Sequence, residues 1–130
     1  MAKIELHPIT KELLAAIDGA FAVSRFADTI MVNASASPVE YGTDTIRIEN
    51  AYVRLTVVVN RQTKLVYIYG CMKYVPGTPI DRPQRFEGGI DLDFSKPEMK
   101  ADGNMFVDVF ARMMKQYNAI ASLVKEKSGY

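Results

Sequence analysis

The spacing of apolar positions changes twice along the chain. Near the start, one face carries residues at steps of three to four, which is the period of a helix that buries one face: Leu13, Leu14, Ile17, Phe21 and Ser24. Thr10 precedes them and has the chemistry of an N-cap. We therefore predict an amphipathic helix from about Lys11 to Phe26, with Thr10 as its N-cap.

Beyond residue 29 the period becomes two, which indicates β-strands. The predicted strands are Ile30–Ala34, Thr45–Glu49, Ala51–Val59, Lys64–Tyr74 and Phe86–Phe94, while Val39–Tyr41 is either a weak strand or an ordered loop. The polar segment Asn60–Thr63 joins two of these strands and predicts a hairpin. An antiparallel sheet is expected.

The last third of the chain returns to a helical period from about Asn104. Its apolar seam has alternating steps of four and three residues, as in a heptad repeat: Phe106, Phe110, Met113, Tyr117, Ile120 and Val124. Burial of six such side chains would contribute roughly 10 kcal/mol, so this helix must pack on something. The sheet is the expected partner, and a coiled-coil homodimer is the alternative.

These elements predict the α+β class, with an antiparallel sheet of four to five strands flanked by an N-terminal helix and a longer C-terminal helix. Both helices are expected on the same face of the sheet. The chain has 130 residues, of which 48% are apolar and 24% charged, a balance typical of one globular domain. We expect residues 1–130 to form a single domain.

Composition excludes several classes of protein. Cys71 is the only cysteine and His7 the only histidine, so neither an intramolecular disulfide nor a zinc site of ordinary spacing is expected. The first residues lack the apolar stretch of a secretory signal, and no apolar run approaches the roughly 18 residues of a membrane span. We expect a cytoplasmic protein that neither binds a cofactor nor enters a membrane.

Charge is nearly balanced overall, at +1, but it is unevenly distributed along the chain. Residues 54–85 hold six basic groups and one acid, whereas residues 86–108 hold six acids and two lysines. We expect these two segments to lie side by side and neutralise each other.

The most enzyme-like pattern is a group of acids late in the sheet region. The order of Asp91 and Asp93 followed by Glu98 and Lys100 resembles, weakly, the acid-then-E-x-K order of metal-dependent nucleases. That resemblance implies a divalent metal held by Asp91, Asp93 and Glu98, and hydrolytic activity. The favoured interpretation is an edge strand whose charges prevent sheets from associating.

The central hairpin and the loop after it suggest a binding surface. Its candidate contact residues are tyrosines and cations, namely Tyr67, Tyr69, Lys73, Tyr74, Arg82 and Arg85. Tyrosines stack on bases and cations contact phosphates, so a single-stranded nucleic acid is one conceivable partner. The other interpretation of the tyrosines is ordinary packing beneath a helix.

With no recognisable catalytic set, the sequence favours a non-catalytic interaction protein, an accessory or inhibitory factor that binds a protein partner. The expected contact surface is the Pro76–Arg85 loop together with the tyrosine-bearing face of the sheet. A nucleic-acid-binding protein and a metal-dependent nuclease or hydrolase are the alternatives.

Overall fold

Five antiparallel strands and two helices make up the structure, a computed structural model that describes residues 5–37, 42–50, 52–72, 90–96, 99 and 102–128. For residues 71, 72, 90, 91 and 117–128 it describes the backbone. In chain order the elements are α1 (Pro8–Ala22), β1 (Met31–Ala36), β2 (Thr43–Glu49), β3 (Val53–Asn60), β4 (Leu65–Met72), β5 (Ile90–Asp93) and α2 (Gly103–Ser128). The predicted α+β class is confirmed.

The strands form one sheet in which each strand pairs with the next in sequence, in the order β1-β2-β3-β4-β5. The predicted hairpin between β3 and β4 is confirmed. In its turn, the Asn60 side chain accepts hydrogen bonds from the amides of Gln62 and Thr63, and Lys64 adopts a positive φ of 64°. Asn50 makes a similar turn before β3 by accepting from the amides of Tyr52 and Val53.

One face of the sheet is buried under both helices, and we call it the inner face. Strands β2, β3 and β4 direct alternate side chains onto it, and these are almost fully buried: Ile46, Ile48, Val53, Leu55, Val57, Val59, Val66 and Ile68. Burial of each such side chain contributes about 1.5–3 kcal/mol. The helices also meet over this face, where the rings of Phe21 and Phe110 pack edge to face with centroids 5.8 Å apart.

The start of α1 differs from the prediction. The helix begins at Pro8 and its N-cap is His7, whose Nδ1 accepts a hydrogen bond from the amide of Ile9. Thr10 is not the cap, because it lies inside the first turn and is fully buried. Proline is favoured at the first helical position, since its missing amide would have no partner there. The helix also ends at Ala22, before the predicted Phe26.

A buried carboxylate anchors the first turn of α1 to the sheet. Asp44 is fully buried, and its Oδ2 accepts hydrogen bonds of 2.8 Å from the His7 amide and the Thr10 hydroxyl. Its Oδ1 lies 3.4 Å from Nε of Arg61, and Nη2 of Arg61 donates to the carbonyl of Glu5. A negative charge at a helix N-terminus is also favoured by the helix dipole. Asp44 therefore joins α1, β2 and the β3–β4 turn.

Helix α2 packs closely on both α1 and the sheet. Of its predicted seam, Phe106, Phe110 and Met113 lie in the core, whereas the side chains of Tyr117, Ile120 and Val124 lie outside the described part of the chain. Met113 sits over Gly70 of β4, where an added Cβ would lie 2.3 Å from its sulfur. At Gly103 an added Cβ would lie 2.0 Å from the carbonyl oxygen of Ala16. Gly103 is thus the point where the two helices approach each other most tightly among the glycines described.

Parts of the predicted sheet fall outside the described residues. They include all of the possible strand Val39–Tyr41, the end of the predicted strand at Tyr74, and the start of the last strand at Phe86. The described part of the last strand begins at Ile90 and pairs with β4 at one edge of the sheet. An edge position is what its acidic residues led us to favour.

Two glycines provide a test of the helix contact. Gly103→Ala is expected to lower the free energy of unfolding by about 1–3 kcal/mol, because the new methyl group would overlap a backbone carbonyl that cannot move alone. Gly19→Ala is the matched control, since an added Cβ there meets nothing within 4 Å and the residue lies within α1, in its last turn. It should raise stability by about 0.5–1 kcal/mol. Urea denaturation of both variants measures the difference, and equal effects would contradict the close approach.

The anchor at Asp44 gives a second test. Thr10→Val keeps the shape of the side chain but removes a buried donor to the carboxylate, so we expect unfolding free energy to fall by about 1–3 kcal/mol. Thr29→Val removes an exposed hydroxyl that donates to the carbonyl of Phe26 and should change stability by less than about 0.5 kcal/mol. Chemical denaturation of the pair measures this difference, and a neutral Thr10→Val would refute the anchor.

Candidate functional site

The face of the sheet opposite the helices, called here the outer face, carries the central tyrosines. Tyr67 and Tyr69 both project from β4 on this face, because the alternate residues Val66 and Ile68 are buried in the core. The described residues include no helix on the outer face, since both helices pack on the inner one. The tyrosines are therefore not packed beneath a described helix, which the sequence had left open.

The two tyrosine rings form a continuous aromatic surface. Their centroids are 5.7 Å apart and their planes are tilted by 31°. Tyr67 is 38% exposed, and Leu65, the preceding residue on the same face, is 48% exposed. In the register Thr56 lies between Tyr69 and Arg47, and it is only 4% exposed. The outer face can thus offer apolar area with hydroxyl groups at its surface.

Charges on the outer face are balanced rather than basic. Nε of Arg54 lies 2.5 Å from Oε2 of Glu49, so this cation is already neutralised. Arg47 is exposed on β2, while Asp93 stands beside Leu65 in the register of the β4–β5 pair. A nucleic-acid backbone is contacted mainly through cations, and the described part of the face offers no row of them.

The basic and acidic segments lie side by side where β4 pairs with β5, and the described ion pairs show where two cations of the basic segment are neutralised. Arg54 and Arg61, from the basic segment, pair with Glu49 and Asp44 of β2 rather than with the acids beyond residue 86. Those pairs join neighbouring strands and a turn, which the charge pattern along the sequence does not reveal.

The remaining predicted contact residues lie outside the described part of the chain. These are Lys73, Tyr74, Arg82 and Arg85, together with the Pro76–Arg85 loop that carries two of them. The candidate site built from described residues is therefore the outer face around Leu65, Tyr67 and Tyr69.

The acidic group predicted late in the sheet is only partly described. Glu98 lies outside the described residues, and Asp91 is described by its backbone, which pairs with Tyr67. Asp93 has a local structural role, because its Oδ1 accepts hydrogen bonds from the hydroxyl and the amide of Ser95. Within the described ranges no three histidine, cysteine or acidic side chains gather as metal ligands would.

A basic groove lies on the helical side and was not predicted from the sequence. It has a volume of about 540 Å³ and lies between α2 and the turn that follows α1. Its lining residues are Arg25, Phe26, Ala111, Arg112, Met114 and Lys115. The guanidinium of Arg25 lies 4.8 Å from the centroid of the Phe26 ring, which fixes one cation at the rim. Residues 25 and 112 are too far apart in sequence for any spacing rule to join them.

Comparison of the chain with protein-family models, curated proteins and solved structures finds no significant match. No helix among the described residues is both long enough and apolar enough to cross a bilayer.

The hydrogen bonds of the Asp93 side chain lead to a prediction about the pKa of its carboxyl group. Hydrogen bonds from the Ser95 hydroxyl and amide, helped by the charge of Lys96, hold the pKa of Asp93 below its ordinary value. The ionised carboxylate therefore stabilises the fold above its unfolded-state pKa, and this contribution is lost as pH falls through the folded pKa. Ser95→Ala should raise the pKa of Asp93, as followed by NMR titration of the carboxyl carbon. Ser24→Ala, at a remote turn, is the control, and an unchanged pKa in Ser95→Ala would contradict the assignment.

Proposed function

We propose that this chain is a non-catalytic interaction protein, an accessory or inhibitory factor, that binds a protein partner through the outer face of its sheet. The observation that carries this proposal is the position of Tyr67, Tyr69 and Leu65 on the face opposite both helices. A fold with two helices on one side of a sheet leaves such a face available for association.

The chemistry of the face supports a protein partner. Tyrosine is enriched in protein interfaces because it combines a large apolar ring, few rotatable bonds and a hydroxyl that can hydrogen-bond. Leu65 adds exposed apolar area beside Tyr67. The balanced charges, with Arg54 held by Glu49, suit a surface that is desolvated on binding better than one that attracts phosphates.

The proposal includes a cytoplasmic location. Its support is the presence of one cysteine in 130 residues, since a small domain that relied on disulfides would need at least a pair. Within the same proposal the contact surface also includes four residues outside the described part of the chain, Lys73, Tyr74, Arg82 and Arg85.

A photo-crosslinking experiment tests the partner and the face together. The photoreactive residue p-benzoylphenylalanine replaces Tyr67 on the outer face or, as a control, Glu12 on the exposed side of α1. In cells of the native host, irradiation should give a discrete crosslinked species from position 67 that position 12 does not give. Combining Leu65→Ser with the photoreactive residue at position 67 should reduce the crosslinking yield at least tenfold, as expected for the loss of an apolar contact at an interface centre.

Two results would contradict this proposal. One is the absence of any crosslink at position 67, and the other is the same species from positions 67 and 12, which would indicate random collision. A salt titration with a labelled single-stranded oligonucleotide tests the alternative, a nucleic-acid partner. The observation that supports this alternative is the proximity of the Tyr67 and Tyr69 rings, whose centroids lie 5.7 Å apart. Affinity that falls steeply with salt and drops further in Tyr67→Ala would favour nucleic acid.

A further inference from the structure

The two edges of the described sheet are built differently. At one edge, β5 has four residues, two of which are the acids Asp91 and Asp93. At the other edge, β1 has six residues, with the sequence MVNASA, and contains neither a charge nor a proline. Charges, prolines and short length are the usual devices that keep an edge strand from pairing with another chain. Strand β1 has none of them.

The backbone of β1 offers hydrogen-bonding groups at this edge. The Ser37 amide, one residue past β1, donates to the carbonyl of Thr43 at 2.9 Å. In an antiparallel ladder the residues bonded to the neighbouring strand alternate with residues whose N–H and C=O groups point away from it. Val32, Ala34 and Ala36 are therefore the residues whose backbone groups point away from β2, and no described strand lies on that side.

The buried layer also becomes thinner at this edge. The side chains of Val32 and Ala34 are only half-buried, although their register partners Ile48 and Ile46 are completely buried. A cleft of about 240 Å³ opens beside the strand. Its lining residues are Asp18, Phe21, Ala22, Ala27, Ile30 and Val32. The inner face of β1 thus keeps apolar area that a neighbouring strand would cover.

We propose that β1 pairs antiparallel with β1 of a second copy of this chain, around a two-fold axis through Ala34. Such an axis, perpendicular to the sheet, keeps inner faces with inner faces, so residues on the same face must pair. In this register Ala34 pairs with Ala34 of the partner subunit, and Val32 pairs with Ala36 of the partner subunit. Every outward N–H and C=O of Val32, Ala34 and Ala36 then has a partner.

The side chains of β1 fit this register. On the inner face the larger Val32 meets the small Ala36 of the partner subunit, and the two copies of Ala34 meet at the axis without a clash. On the outer face Asn33 lies opposite Ser35 of the partner subunit, a pair able to hydrogen-bond across strands. A shift of two residues would leave either Ala36 or Val32, depending on its direction, without a partner within β1, so the proposed register uses the strand most fully.

The resulting dimer has one continuous sheet, in which the five strands of each copy join. Because the axis is perpendicular to the sheet, the two outer faces lie on the same side and both helical layers on the other. The dimer does not depend on the partner proposed above, since β1 and the Tyr67 region are different surfaces.

The substitution Ala34→Pro tests the proposal by removing one backbone donor at the proposed interface. Proline removes the Ala34 amide hydrogen, which points away from β2, and leaves the β1–β2 ladder intact. Sedimentation should give twice the 14.5 kDa chain mass for the unmodified protein and the single-chain mass for Ala34→Pro, with at least a tenfold rise in dissociation constant. Asn33→Pro is the orientation control, because its amide points towards β2 and its loss should lower the melting temperature.

A second pair of variants decides the matter if Ala34→Pro does not fold. Ser35→Lys places a charge on each copy beside the axis and should also give the single-chain mass, whereas Gln116→Lys adds the same charge on exposed α2 and should not. The unmodified protein should be dimeric at a concentration of about 1 mM, because a dissociation constant above that value would be too weak for specific association. A single-chain mass at this concentration would overturn the proposal. A dimer that persists in folded Ala34→Pro or in folded Ser35→Lys would overturn it as well.

Discussion

The burial of one sheet face beneath two helices is the constraint on which the rest of this structure depends. Along β3 the side chains of Val53, Leu55, Val57 and Val59 are all fully buried and all point the same way. Strict alternation then fixes the direction of every neighbouring side chain on the paired strands. Because both helices are needed to cover the inner face, the described chain has no element left to cover the other. The exposed tyrosine surface is a consequence of this arrangement.

Much of the fold could be predicted because it depends on local periodicity. The alternation along β3 predicted that Val53, Leu55, Val57 and Val59 share one face of the sheet, and the seam of α2 identified Phe106, Phe110 and Met113 as an apolar stripe that must be covered. The start of α1 was predicted wrongly because the cap was chosen by residue type alone. Thr10 is the better cap by residue type, but its hydroxyl is engaged by a carboxylate 34 residues away, and Pro8 fixes the first helical position instead.

The candidate site was harder to predict from the sequence, because it depends on contacts between residues that are far apart in the chain. The sequence placed Tyr67 and Tyr69 on one face of a strand, and that placement is correct. The helices cover the face of the sheet that has the larger apolar area when all five strands are taken together. The pattern of a single strand does not determine which face that is. The positions of the charged groups were harder still to predict, because they are brought together only by folding. Arg61 pairs with Asp44, and Arg25 and Arg112 line the same groove.

The Asp44 anchor has a consequence for the order in which the chain acquires structure during synthesis. The amide of His7 and the hydroxyl of Thr10 leave the ribosome more than 30 residues before the carboxylate that receives them, and Arg61 follows later again. An isolated helix of 15 residues is marginal in water. Helix α1 is therefore among the elements that gain stability late, after β2 and β3 have emerged and closed the loop around it.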